Sequence, residues 1–295
     1  MPVRLLAAVL GLQVLLGVAI VVLAATDFSV FGLNDAGRPA PPSRADRFDA
    51  GRAYRDVRRQ LALGPRPAGS PASRRLAEEL RARLPGGRFE AVPGGLRNVV
   101  GRLPGRAPAI LVAAHYDTKD LPHFVGANDG AGGVAVVLEL ARALGHAHRP
   151  AGAPEIRFAF FDGEESRPGH SHDELRGSRA YAARHARELK AAIVVDFVGQ
   201  RDLRLTRDLG SSPALWNRLR AAARGLGEGE VFPDDTQTQV IDDHTPFLQH
   251  GVPAIDLIDF AFPCWHRPCD GLRVISRRSL DAAGESVLAM LRRAR

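Results

Sequence analysis

Residues 160–166 read FFDGEES. With Phe158 and Ala159 before them, the two phenylalanines end an apolar run of the kind a buried strand carries, yet Asp162, Glu164 and Glu165 follow at once. Carboxylates at the margin of a core are costly unless something compensates their charge. The compensating partner has to come from elsewhere in the chain.

Working outward, the same pattern of short apolar run followed by a polar group recurs. Strands are expected at Asn98–Leu103, Ile110–Ala114, Ile156–Phe161, Ala191–Phe197 and Ala254–Ile258. Amphipathic patterns predict helices over 50–63 and 70–84, the second opened by Ser70 as cap and Pro71 in its first turn. Further helices are expected at Gly133–Leu144, Ser178–Leu189, Pro213–Leu226, Pro246–His250 and Arg277–Arg293. Strands alternating with helices predict an α/β sandwich with a mostly parallel sheet. In such sheets functional groups gather beyond the carboxyl ends of the strands.

The N-terminus differs in kind. From Leu5 to Ala25 the only clearly polar residue is Gln13, and as a helix this segment would match the thickness of a bilayer core, about 30 Å. It is expected to be one transmembrane signal-anchor, or an export signal if cleaved near Ala24-Ala25. Arg4 before it, against Asp27 and Asp35 after it, directs the bulk of the chain outward, to the periplasmic or extracellular side. Residues 26–47, with three prolines at 39, 41 and 42, read as a flexible tether, and the catalytic domain is expected over 48–295. The net charge of +7 is carried by arginines scattered through helical patterns, not by a basic stripe with interleaved aromatics, so no nucleic-acid partner is expected. Cys264 and Cys269 in PCWHRPCD fit either a short-range disulfide or two thiols.

The strand ends carry the chemistry. ILVAA leads into His115-Tyr116-Asp117, AAIVV into Asp196, and AIDLI through Asp259 to Trp265-His266. Asp129 in GANDGAGG precedes one helix and Asp242-Asp243-His244 another. Each alone has an ordinary use: Asp117 as a turn residue, Asp129 and Asp243 as helix caps, His115 as a core histidine. Together, so many carboxylates near a core would repel one another, and a divalent cation removes that penalty. Carboxylates with imidazole suit zinc, with one position open for water or substrate. Because adjacent side chains on extended backbone point oppositely, one of Glu164 and Glu165 can ligate while the other carries protons.

The order HYD, GANDGAGG, FFDGEE, GSRAYA, VVDFVG, DDHTPFLQHGVPAIDLIDF and WH resembles the zinc-dependent aminopeptidase superfamily, and within it the glutaminyl-peptide cyclotransferases, over about residues 60–295. The resemblance implies a three-layer sandwich with a mostly parallel mixed sheet. It implies that Asp129, Glu165 and His266 bind zinc, that Glu164 is the general acid/base, and that Asp196 and Asp242 join it in a hydrogen-bonded catalytic network. His115 and Asp196 match the positions that complete a second zinc site in the aminopeptidases, so one zinc ion or two are expected. Trp265, His244 and Phe262 are expected to line the substrate pocket.

The activity implied is cyclisation of the N-terminal glutamine of peptides or proteins, with release of ammonia. The alternatives are a metallo-aminopeptidase acting on the same N-termini and an inactive membrane-tethered binding domain. Two positions depart from the animal cyclases: Gly169 and His170 stand where an aromatic follows the glutamate pair, and Arg267 follows the WH pair in place of threonine.

Overall fold

The computed structural model describes residues 46–170 and 173–294. The apolar segment Leu5–Ala25 and nearly all of the proline-rich tether lie outside the described residues. Among the described residues no helix is long and apolar enough to cross a membrane.

Two helices come first, α1 (Ala50–Leu61) and α2 (Pro71–Arg83), capped by the side chains of Asp49 and Ser70. Strands β1 (Arg88–Val92), β2 (Leu96–Leu103) and β3 (Arg106–His115) follow. After them come α3 (Ala131–His146), β4 (Pro154–Phe161), α4 (Arg176–His185) and β5 (Leu189–Val195). The remainder is β6 (Arg207–Asp208), α5 (Pro213–Arg224), β7 (Thr236–Gln237), α6 (Thr245–Gln249), β8 (Ala254–Leu257) and α7 (Arg277–Arg292).

Six strands form one sheet in the order β1-β2-β4-β3-β5-β8. The four strands β4, β3, β5 and β8 are parallel, and β2 and β1 extend the sheet antiparallel at one edge. Of this edge pair, β2 covers the expected strand at 98–103, whereas β1 was missing from the sequence expectation. In β1 only Val92 is buried, so its apolar alternation is too weak to read, and Phe89 is covered by the guanidinium groups of Arg81 and Arg97.

Alternation along the central strands divides the core in two. Val112, Ala114, Phe158, Phe160, Ile193 and Val195 face α1, α2, α3, α5 and α7, while Leu111, Ala113, Ala159, Phe161 and Ala192 face α4 and α6. The result is a mixed sheet between two helical layers, as alternating strands and helices require. The domain starts where expected: Phe48 is buried against Gly284 of α7, where a methyl group would have to lie 2.3 Å from its ring.

Register sets up the site. His115 pairs with Phe161, Ala113 with Val194, and Val195 with Leu257, so β3, β4, β5 and β8 end level on one edge. Helix α3 packs close beneath it because Gly133 has no side chain: a Cβ there would lie 2.1 Å from the Val195 carbonyl oxygen. Gly133→Ala is therefore expected to lower the unfolding free energy by about 1–3 kcal/mol. Gly145→Ala, at an exposed position of the same helix, is expected to leave it unchanged or raise it by up to about 1 kcal/mol. Urea unfolding of the two variants checks both signs.

Candidate active site

Four strand ends and two loops deliver the acidic groups. His115 ends β3, Asp162–Glu165 follow β4, Asp196 follows β5, Asp129 directly precedes α3, Asp242 precedes α6, and the loop after β8 brings Trp265 and His266. Local backbone holds the glutamate pair: the N–H groups of Glu164 and Glu165 each donate to the Asp117 carboxylate at 3.2 Å. Asp117 is thereby a framework residue, wholly buried, that fixes the turn carrying both glutamates.

Two sets of donor atoms form around Asp129. In one, the Nε2 of His266 lies 3.1 Å from Glu165 Oε1 and 3.5 Å from Asp129 Oδ2. In the other, the Nε2 of His115 lies 3.4 Å from Asp129 Oδ1 and 3.2 Å from Asp196 Oδ1. Asp129 thus turns one oxygen to each set, and within each set the donor atoms all lie within 4.8 Å of one another. Ligands about 2.0–2.1 Å from a tetrahedral ion stand about 3.3 Å apart, close to the imidazole–carboxylate distances of both sets. Asp129 Oδ2 is buried without a hydrogen-bond partner, as a metal-directed oxygen would be. Nitrogen and carboxylate donors without thiolate fit zinc.

The glutamates divide as alternation requires. Glu165 is buried in the first set, and although burial acts to raise its pKa, His266 and then Lys119 hold it below the usual carboxylate range. Glu164 points into the cavity, where burial, followed by the charge of Glu165, pushes it well above that range. Asp196 is likewise raised, first by burial.

Beside these groups opens a cavity of about 430 Å³, walled by Glu164, Asp196, Phe197, residues 238–242, Phe260, Trp265 and His266. Trp265 and Asp242 stand on its wall. His244 and Phe262 do not: Phe262 is buried behind Phe197, their rings 5.9 Å apart, and His244 is fully buried. His244 instead lies between two fully buried carboxylates, Asp208 Oδ2 at 3.2 Å and Asp256 Oδ2 at 3.7 Å. The run Asp242-Asp243-His244 before a helix gave no means of telling inward from outward. Lys119 is on the wall although the sequence did not single it out; its Nζ lies 3.1 Å from Glu165 Oε2 and donates to Ser166 Oγ at 2.7 Å. Its position two residues after Asp117, just past a strand end, was the available signal. Phe260, its ring stacked on Phe197 with centroids 6.1 Å apart and tilted against Trp265 at 4.8 Å, was also missed.

A mixed α/β sheet with imidazole and carboxylate donors gathered at its carboxyl edge defines a metal-dependent enzyme scaffold. The model of peptidase family M28 matches residues 98–291, and the chain belongs to that family. Among curated relatives, the glutaminyl-peptide cyclotransferase of Bos taurus is 30% identical over 226 residues, 62% of this chain and 62% of its own, so the chain spans less than two thirds of that relative. Among solved structures, glutaminyl cyclase from an Acidobacteriales bacterium superposes with a TM-score of 0.73 at 33% identity, over 86% of this chain and 97% of its own. A leucine aminopeptidase precursor from Bacteroides thetaiotaomicron gives a TM-score of 0.74 at 24% identity over 86% of this chain and all of its own, a likeness of fold.

His244→Ala should uncover two buried carboxylates and cost about 3–5 kcal/mol of stability by denaturant unfolding. A histidine that contacted substrate would instead raise KM with stability unchanged.

Proposed function

We propose that this chain is a zinc-dependent glutaminyl-peptide cyclotransferase that converts the N-terminal glutamine of peptides to pyroglutamate and releases ammonia. The observation that carries the reading is the likeness to the Acidobacteriales glutaminyl cyclase, which reaches 33% identity over nearly the whole of that chain, whereas the aminopeptidase likeness extends to fold alone. Asp129, Glu165 and His266 would hold the zinc. Bound there, zinc supplies a Lewis acid that polarises the γ-carbonyl of the glutamine.

The chain's own residues supply the rest. Glu164, next to that donor set on the cavity wall, accepts a proton from the α-amine as its nitrogen bonds to the γ-carbonyl carbon. The same carboxyl then returns the proton to the departing amide nitrogen, which leaves as ammonia. Burial, and then the charge of Glu165, shifts the pKa of Glu164 upward, the direction in which a carboxyl that takes and gives a proton is tuned. Asp196 and Asp242, both on the wall, surround it with further acidic groups that interact with one another. Trp265, 42% exposed, and Phe260 offer an apolar face to the glutamine side chain.

The second donor set, His115 with Asp129 and Asp196, favours a metallo-aminopeptidase as the other reading, because it could hold a second ion. The Cys264–Cys269 disulfide supports an oxidising compartment, in keeping with a domain held on the outer face of a membrane by the N-terminal apolar segment, or secreted if that segment is cleaved.

Glu164→Gln is expected to keep its zinc while ammonia release from a peptide beginning with glutamine falls by about 10²–10⁴-fold. Asp129→Ala and His266→Ala are expected to lose zinc itself, read by elemental analysis of the purified full-length chain. Full zinc occupancy in either would refute the ligand assignment, and retained activity in Glu164→Gln would refute the proton carrier.

A further inference from the structure

Eight residues, PCWHRPCD at 263–270, carry more than one group of the site. Cys264 and Cys269 are joined by a disulfide with their Cα atoms 5.4 Å apart, so the loop between them is closed into a ring. Inside the ring the Arg267 N–H donates to the Cys264 carbonyl at 3.0 Å, and from just outside it the Asp270 N–H donates to the Arg267 carbonyl at 3.0 Å. His266 sits in the ring with φ of 52°, a left-handed conformation that costs a non-glycine residue on the order of 1–3 kcal/mol and persists only where the surroundings impose it.

The residue just beyond the ring reaches the other segment. Asp270 is fully buried, and its two carboxylate oxygens each accept one backbone N–H, from Asn128 at 2.8 Å and from Asp129 at 3.1 Å. Its carbonyl accepts a third, from Ala127 at 3.2 Å. His266 and Asp129 lie 137 positions apart in sequence, yet both are fixed to one short, covalently closed loop. Phe124, just upstream of Asp129, completes the join with its ring edge-on to His266, centroids 5.9 Å apart.

We infer that the Cys264–Cys269 ring and Asp270 form a positioning device for the metal site, which sets the distance between His266 and Asp129 by tying their segments together. The inference rests on the zinc assignment above. Neither cysteine nor Asp270 contributes a donor atom to either set. Their effect is on how much of the ligand geometry exists before the ion arrives, and supporting groups of this kind change metal affinity by about 10–100-fold.

The test uses the full-length chain and compares wild type, the double variant Cys264→Ser/Cys269→Ser, Asp270→Asn and Leu80→Ala. Asp270→Asn keeps the side-chain shape and withdraws one of the two accepting oxygens, so it carries the test even if the double variant does not fold. Leu80→Ala, a truncation in the buried face of α2, reports loss of stability away from the loop. The readout is the zinc dissociation constant by competition with a chromogenic chelator, at a temperature where each protein is folded. The expected result is a rise of ten-fold or more for the double variant and for Asp270→Asn, with Leu80→Ala within two-fold of wild type. Dissociation constants equal to wild type in both loop variants would overturn the inference while leaving the zinc assignment intact. Wild type that binds no zinc would overturn both, which separates the two failures.

Discussion

The mutual repulsion of buried carboxylates around Asp129 is the constraint on which the structure turns. Asp129 faces His266 and Glu165 with one oxygen and His115 with the other, and Asp196, Glu164 and Asp242 stand close by. Burial pushes Asp129, Glu164 and Asp196 upward in pKa, so each is costly to hold as an anion there. A cation at this point converts the repulsion into attraction. Other features of the edge follow from the need to keep the donors aimed at it: the Asp117 carboxylate beneath the glutamate turn, the level strand ends, and the ring that holds His266.

The scaffold serves that constraint with few devices. Strand register brings His115 beside Asp196, and the absence of a side chain at Gly133 lets α3 approach β5 closely, with Asp129 just ahead of its first turn. A second set of buried acids, Asp208 and Asp256, holds His244 behind the cavity wall. Asp208 also accepts the backbone N–H groups of Gly210, Ser211 and Val240, so the segment leading to Asp242 is anchored from the inside. Two kinds of buried acid thus stand at this edge, one gathered around Asp129 and the other, at Asp208, accepting framework N–H groups.

Much of this was legible in the sequence because it depends on periodicity and on residue type at strand ends. All five expected strands and seven expected helices are found, with ends displaced by a few residues, since an apolar run such as ILVAA must be buried wherever it goes. The donor residues could be named because imidazole and carboxylate after an apolar run have few ordinary uses in combination. Direction was not legible. Nothing in DDHTPF says that Asp242 faces the cavity while His244 faces Asp208 and Asp256, because that depends on a short helix packing against β8. Lys119, Phe260 and Asp270 escaped for a related reason: each acts through a contact with a residue distant in sequence.

Cyclase and peptidase chemistry would use the same proton carrier and the same donor set, and they differ in whether the α-amine or water attacks. The central claim is that the amine does. The direct measurement is mass spectrometry of a peptide beginning Gln-Ala after incubation with the full-length chain and zinc. The account predicts loss of ammonia with the peptide chain intact. Release of free glutamine, with the shortened peptide left behind, would contradict it.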